Sequence, residues 1–362
     1  MPEQLSDIGG WPALLGRLAA GEDLSPGEAA AAMREIFDGA ATPSQIAAFI
    51  FGMRCKGETA PELSAMLEAM LEVAELVPAP APLRARLVDT CGTGGDMSGS
   101  INISTIAALV VAGAGVPVCK HGGRAASSRT GSADVLEALG VEISLGPGSV
   151  LRCIEEAEIG FCFAPRYHPA MRHVVPTRRE LGVRTAFNLL GPLANPARAP
   201  FRLVGVGDGR VAECLASVLS TSGTARAWVV HGEDGLDELS TTQPSKVVEW
   251  RAPGANGGDE PGELRTFTLD PGALGLAPAR PEDLKGGDAA QNAEAALRVL
   301  SGEVGPHRDI VLLNAAAALV VAGHDHDLEA ALASAADSIG SGRASACLER
   351  LVQVSQEEAG KA

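Results

Sequence analysis

Two glycine-rich segments concentrate the groups that could bind phosphate. They are Asp89-Thr-Cys-Gly-Thr-Gly-Gly-Asp96 and Lys120-His-Gly-Gly-Arg-Ala-Ala-Ser-Ser128. Each follows a strand-like run and precedes a helix-like one. In the first, Gly92, Gly94 and Gly95 permit a tight turn whose N–H groups point one way. Asn102-Ile-Ser-Thr105 then opens a helix, whose positive N-terminal end favours an anion. Asn102, Ser104 and Thr105 add side-chain donors. In the second, Lys120 ends a strand, where a βα loop presents ligand contacts. Arg124, Ser127 and Ser128 follow, and Ser132 caps the next helix. Lysine supplies a point charge and arginine a planar fork, which suits several phosphate oxygens at once. The spacing is neither the dinucleotide G-x-G-x-x-G nor a Walker A loop. So many donors suit a phosphorylated sugar carrying a pyrophosphate. The alternatives are a glycine-rich connection with an ordinary Asn cap and a solvated polar loop. Two such loops from consecutive βα units should lie side by side.

Other clusters are ambiguous by themselves. His231-Gly-Glu-Asp-Gly-Leu-Asp237-Glu238 follows a strand. Its paired carboxylates read either as a solvated acidic turn or as an Mg²⁺ anchor beside phosphates. His168, before Pro169, is either a core histidine or a helix start facing a pocket. Arg178 is either exposed or a fork for a carboxylate. In His324-Asp-His-Asp327 the i and i+2 side chains do not share a helix face. That run reads as a polar interhelix turn capped by Asp327.

The elements that must position these groups fall into two textures. The first 75 or so residues read as short helices. Capping boxes mark three of them, at Ser25-Pro-Gly-Glu28, Thr42-Pro-Ser-Gln45 and Thr59-Ala-Pro-Glu62. Pro26 and Pro43 take the first helical position, where a missing N–H costs nothing. Leu5–Ala20 supplies one more helix. Alternate prolines in Val77–Leu83 cannot continue a helix and read as a linker. From Arg84 strands and helices alternate. Strands are expected at 85–90, 116–120, 141–144, 160–164, 202–206 and 227–231. Helices are expected at 102–113, 132–139, 150–157, 211–220, 309–322 and 327–341. This rhythm predicts an α/β domain over 84–362, with a mostly parallel central sheet and helices on both faces. A small all-helical domain over 1–77 precedes it. The stretch 168–196 breaks the rhythm and is expected to pack back on the helical domain. Ala252–Glu263 reads as an exposed loop.

Composition bounds the partners. Of 362 residues, 29 are Lys or Arg and 45 Asp or Glu, a net charge of −16. Such a surface repels nucleic acid and anionic membranes, and an anionic ligand needs locally concentrated positive charge. Seven scattered cysteines without C-x-x-C predict free thiols in a reducing, cytoplasmic setting. No signal peptide or membrane span is read from the sequence.

Seven motifs in order carry a resemblance over nearly the whole chain. They are Gly92-Thr-Gly-Gly-Asp96, Asn102-Ile-Ser-Thr105, Lys120-His-Gly…Ser-Ser128, the run Gly131–Gly140, Arg178-Arg-Glu-Leu-Gly182, the run Arg184–Pro196 and Asp234-Gly-Leu-Asp-Glu238. Together they resemble the anthranilate phosphoribosyltransferase family of the tryptophan pathway, within the nucleoside phosphorylase/phosphoribosyltransferase fold. The resemblance implies a homodimer through the helical part and a site at the hinge between the domains. It implies that Gly92, Gly95, Asp96, Ser100, Asn102, Ile103, Ser104, Thr105, Lys120, His121, Gly122, Gly123, Arg124, Ala125, Ala126, Ser127, Ser128 and Ser132 line a phosphoribosyl pyrophosphate site. Ser104, Asp237 and Glu238 would hold Mg²⁺, with Lys120, Asp237 and Glu238 the catalytic groups. Arg178 would meet the carboxylate of anthranilate, with Gly92, His121, Gly123, Pro165 and His168 around it. Two positions depart from the family: Gly123 stands where an Asn amide helps bind anthranilate, and Ser100 where Thr is usual. A different aromatic amine as acceptor is the nearest alternative. A pyrimidine nucleoside phosphorylase shares the fold but has no need of the acidic pair, and a nucleic-acid-binding relative would need a basic surface.

Overall fold

The computed structural model describes residues 4–125, 129–254 and 261–361. Ala126, Ser127 and Ser128 of the second loop therefore lie outside the described residues, as do positions 255–260. Four helices, Gly10–Ala19, Pro26–Phe37, Pro43–Lys56 and Ala60–Glu72, form the N-terminal bundle. Their starts follow the sequence signals. The Ser25 hydroxyl accepts from the Glu28 N–H at 3.2 Å, and the Glu28 carboxylate accepts from the Ser25 N–H at 2.7 Å. Thr42 and Gln45 repeat the exchange. At the third start both the N–H and the hydroxyl of Thr59 donate to Glu62. Glu62 is fully buried and also accepts from the Leu24 N–H and from Lys56 Nζ. One carboxylate thus ties three helix ends together, and its hydrogen bonds and cationic partner are what make its burial tolerable.

The α/β domain holds a seven-stranded sheet: β1 (Val88–Gly92), β2 (Val118–Gly122), β3 (Ile159–Phe163), β4 (Phe201–Gly205), β5 (Arg226–Gly232), β6 (Ser245–Arg251) and β7 (Glu263–Leu269). The order is β3-β2-β1-β4-β5-β6-β7. The first five strands in this order run parallel, and β6 and β7 add on antiparallel. Successive strands spread leftward from β1 and then rightward from β4. The order reverses between them, and at such a switch point the loops after the two strands part to leave a crevice. Beneath it Asp89 of β1 lies beside Arg202 of β4, both buried and 3.3 Å apart. The second Asp89 oxygen accepts from the His121 N–H of β2 at 3.1 Å.

Alternating residues send side chains to two cores. Leu203 and Trp228 join the helices Ile103–Gly113, Pro306–Val321, Leu328–Gly340 and Arg343–Ala359 on one face. Val204 and Val229 join a core continuous with the N-terminal bundle on the other. Val174, Phe187, Leu190 and Leu193, around and within helices Val175–Leu181 and Ala186–Leu193, belong to that second core. The linker is packed along this stretch: Val77 donates its N–H to the Pro196 carbonyl, and Ala81–Arg84 forms one helical turn.

Five elements differ from the sequence reading. Val141–Ser144 is extended but is not a strand. Its N–H groups go to the Leu136 carbonyl, the Ser355 hydroxyl and the Glu142 carboxylate instead of to a neighbouring strand. The hairpin β6–β7 has no counterpart in that reading. β7 is an edge strand of mostly exposed residues, without the buried alternation that marks strands in sequence. Helices Ala289–Leu300 and Arg343–Ala359 are likewise additional to it. Asp327 does cap its helix, accepting from the Ala330 N–H at 2.9 Å. Among the described residues no helix is long and apolar enough to cross a membrane.

Candidate active site

The carboxyl ends of β1 and β2 open into a cavity of about 280 Å³. Its floor is Lys120, which is 2% exposed. The ammonium donates to the Thr90 carbonyl at 2.5 Å and to the Ser104 hydroxyl at 3.3 Å. Burial pushes its pKa down, while Asp89 and Glu238 nearby favour the charged form. Ser104 lies in the first turn of the helix Ile103–Gly113, and its N–H donates to Glu238 Oε1 at 3.1 Å. Gly94 of the first loop donates its N–H to Asp237 Oδ2 at 2.6 Å. The two loops and the acidic pair, 134 residues beyond Ser104 in the chain, are therefore one assembly.

Glycine makes this approach possible at two points. A Cβ on Gly92 would overlap the Asp237 carboxylate, and one on Gly205 would overlap the Asp237 carbonyl. Both glycines end strands at the switch point. The acidic turn therefore lies directly on bare backbone. Burial, with Asp96 alongside, pushes the Asp237 carboxyl up to about 7. Burial and the neighbouring Asp237 likewise raise Glu238. Two carboxylates short of positive charge, with a hydroxyl at the nearby helix start, match what Mg²⁺ takes from protein. Magnesium commonly uses one or two carboxylates and completes its octahedron with phosphate oxygens and water.

Gly92, Gly95, Asp96, Ser100, Asn102, Ile103, Ser104, Thr105, Gly122, Gly123, Ala125 and Ser132 all line this cavity, as do Lys120, His121 and Arg124. The Asn102 amide is held on both sides. It donates to the Thr130 carbonyl and accepts from Asn292 at 2.8 Å, which in turn accepts from the Gly287 N–H. Arg124 forks onto Asp134 and Glu137 and lies over the Phe163 ring. Its guanidinium is thus engaged with protein carboxylates at the cavity's edge.

A second cavity of about 520 Å³ adjoins the first. Met70, Pro165, Val175 and Phe187 give it apolar walls from both domains, and Gly92, His121 and Gly123 line both cavities. His121 and His168 stand edge to face, ring centres 5.1 Å apart. The Ala194 carbonyl lies 2.9 Å from His168 Nε2, so that nitrogen carries the hydrogen. Among the described residues, His168 Nδ1 and His121 Nε2 are buried without partners. Burial pushes His168 down to about 4 and His121 well below its usual value, so both rings are neutral near pH 7. Arg178 lies 5.5 Å above the Phe187 ring and donates to Asn188 Oδ1 at 3.2 Å. Among the described residues no carboxylate pairs with it. A half-buried guanidinium facing an apolar cavity suits a flat, aromatic anion.

Sequence reasoning passed over several participants. Arg184 grips the first loop, donating to the Gly94 carbonyl at 2.6 Å and the Thr93 carbonyl at 3.3 Å. Asn188 lines both cavities and orients Arg178. Both lie in the Arg184–Pro196 run, where residue type alone assigned neither a role. Gly205 has no local signal, since its need for glycine arises from a turn about thirty residues away.

Comparison with known proteins agrees with this geometry. Residues 84–345 match the α/β domain of a glycosyl transferase family, and residues 12–74 match the helical bundle domain of such a family. The chain is 52% identical to an anthranilate phosphoribosyltransferase of Salinispora arenicola, covering 95% of this chain and 96% of that protein. It superposes on the crystal structure of anthranilate phosphoribosyltransferase from Thermus thermophilus with a TM-score of 0.85 at 43% identity, covering 95% and 99% of the two chains. The Saccharomyces cerevisiae enzyme, in complex with phosphoribosyl pyrophosphate and Mg, superposes with a TM-score of 0.85 at 26% identity, covering 96% and 98%.

The packing and the burial are each open to test. Gly205→Ala displaces the acidic turn, and calorimetry with inorganic pyrophosphate and Mg²⁺ should show affinity reduced by about 10-fold or more. Unchanged affinity would mean that the turn has slack. His168 refuses a proton that the unfolded chain accepts between pH 6.5 and about 4. Its contribution to stability is full above 6.5 and is lost as pH falls to 4, by roughly 3 kcal/mol. His121 adds in the same direction. Urea unfolding at pH 7 and pH 4.5 should show a smaller acid loss in His168→Gln than in the unchanged chain.

Proposed function

The chain belongs to the anthranilate phosphoribosyltransferases, and on that premise we propose how its own residues carry the phosphoribosyl group to the amine of anthranilate in the tryptophan branch. The observation that carries the reading is the junction of two unlike cavities. One is a donor-rich cradle with a buried lysine and an acidic pair. The other is an apolar pocket with an arginine that no described protein carboxylate neutralises.

The sugar diphosphate lies in the first cavity. The N–H groups of the glycine loop, the start of helix Ile103–Gly113 and the fixed Asn102 amide hold its oxygens. Ser104, Asp237 and Glu238 hold Mg²⁺, which when bound offsets charge on the pyrophosphate as it departs. Lys120, anchored on Thr90 and Ser104, supplies further positive charge from below without having to reorganise. Anthranilate enters the second cavity with its carboxylate on Arg178 and its ring along Pro165 and the two histidines. Gly123 offers the acceptor no side-chain amide, and the nearest atom to an added Cβ there is Ala164 Cβ at 3.9 Å.

The amine nitrogen bonds to the anomeric carbon as the bond to the pyrophosphate oxygen breaks. An arylamine is neutral at pH 7, and its proton becomes strongly acidic once that bond forms, so water or the departing pyrophosphate takes it and no strong general base is required. Neutral His121 and His168 suit this step, because imidazolium groups there would compete with Arg178 for the carboxylate. Positioning and fixed electrostatics supply most of the acceleration. The reading includes a homodimer through the helical domain, where Phe51 of helix Pro43–Lys56 is exposed, and a cytoplasmic location.

The direct test is loss of anthranilate fluorescence with phosphoribosyl pyrophosphate and Mg²⁺. The unchanged chain should consume anthranilate, and Asp237→Asn with Glu238→Gln should lower kcat by about 1,000-fold, on the order of what loss of electrostatic stabilisation costs, while circular dichroism stays native. No consumption at millimolar anthranilate would point to another acceptor. Arg178→Ala should raise KM for anthranilate by about 10- to 100-fold, the worth of a charged hydrogen bond, and leave KM for the sugar donor within about twofold. An equal rise for both substrates would contradict a carboxylate clamp.

A further inference from the structure

The helix Pro306–Val321 passes through the core with every residue from Ile310 to Val321 buried, and all of these but Asn314 are apolar. A carboxamide in such surroundings must find partners or destabilise the fold. Asn314 finds them in a backbone 75 residues earlier. Its Oδ1 accepts from the Leu239 N–H at 3.0 Å, and its Nδ2 donates to the Leu239 carbonyl at 2.9 Å and to the Ile310 carbonyl at 2.9 Å. Leu239 belongs to no strand. The amide therefore does for its backbone what a neighbouring strand would do.

Leu239 directly follows Glu238. The other side of the same turn is held by Asp234, whose carboxylate accepts from the Leu236 N–H at 3.2 Å, the Ser240 hydroxyl at 2.6 Å and the Thr242 hydroxyl. The Asp237 carbonyl rests on Gly205. Without the Asn314 pair, the Asp237-Glu238 side would keep its bonds to the Ser104 and Gly94 N–H groups but lose the anchor that ties its backbone to the core helix. Asn314 itself lines neither cavity.

We propose that Asn314 is a positioning residue: its two-pronged bond to Leu239 fixes Asp237 and Glu238 in the register that Mg²⁺ and pyrophosphate require. This inference rests on the donor-site reading above. Supporting groups behind metal ligands commonly shift affinity by about 10- to 100-fold when removed. A polar residue kept in an apolar helix solely to tie two core segments together would affect stability alone.

The test uses the full chain, with inorganic pyrophosphate as the probe and Mg²⁺ titrated by calorimetry. Asn314→Leu should raise the Mg²⁺ concentration for half-maximal pyrophosphate binding by about 10-fold or more, with KM for anthranilate changed less than about twofold. Leu313→Ala, a buried truncation one residue away, should lower Tm and leave the Mg²⁺ midpoint in place. If Asn314→Leu keeps the unchanged midpoint, or if Leu313→Ala moves it equally, the positioning role is overturned. Should Asn314→Leu not fold, Asn314→Ser is read by the same titration, and an unchanged midpoint there overturns it too. An unchanged chain that binds pyrophosphate with Mg²⁺ but leaves anthranilate untouched would overturn the acceptor assignment alone. One that does not bind pyrophosphate with Mg²⁺ would overturn the donor-site reading and this inference together.

Discussion

The site depends on the contact between an acidic turn and the bare backbone at the ends of two strands. Asp237 can sit on β1 and β4 only because Gly92 and Gly205 carry no side chain. The parallel sheet reverses its order between those strands, so the crevice is there for topological reasons. The glycines let backbone and carboxylates fill the crevice without closing it. Asp237 then takes an N–H from the first glycine loop and Glu238 one from the first turn of the following helix. Loop, helix start and acidic turn are fixed relative to one another by these few bonds.

The charge arrangement follows from that contact. A chain of net charge −16 must hold a polyanion somewhere. On the proposed reading it does so with positive groups whose surroundings restrain them. Lys120 is buried beneath the cavity and engaged by Thr90 and Ser104, while Arg178 lies against Phe187 and Asn188. Both positive groups are desolvated, which strengthens their attraction for an incoming anion and lowers what reorganisation costs at the moment of reaction. The acids carry the opposite imbalance, with carboxyl pKa values raised by burial and by neighbouring acids. A cation bound beside them would relieve that imbalance.

Much of this was legible in the chain itself. The glycine loops, the helix start at Asn102 and Lys120, two residues before the end of β2, declare their chemistry by type and spacing, because βα units place consecutive loops side by side. Capping boxes located three of the four bundle helices because each closes within four residues. Legibility failed where partners are remote. Val141–Ser144 has the composition of a strand, but its N–H groups are taken by local groups and by a distant helix side chain. β7 is an edge strand whose exposed residues resemble a loop.

The sequence by itself determined the family and the two-domain α/β architecture, and it marked the residues expected to bind phosphate and carboxylate. Those are local properties, written in residue type and short spacing. Only the tertiary structure decided how far each group is desolvated, that Asp237 is raised to about 7 while both histidines stay neutral, and that Gly205, Asn188 and Arg184 lie against the site. Each of those depends on segments brought together from distant parts of the chain. Burial and contact between such segments exist only after the chain has folded.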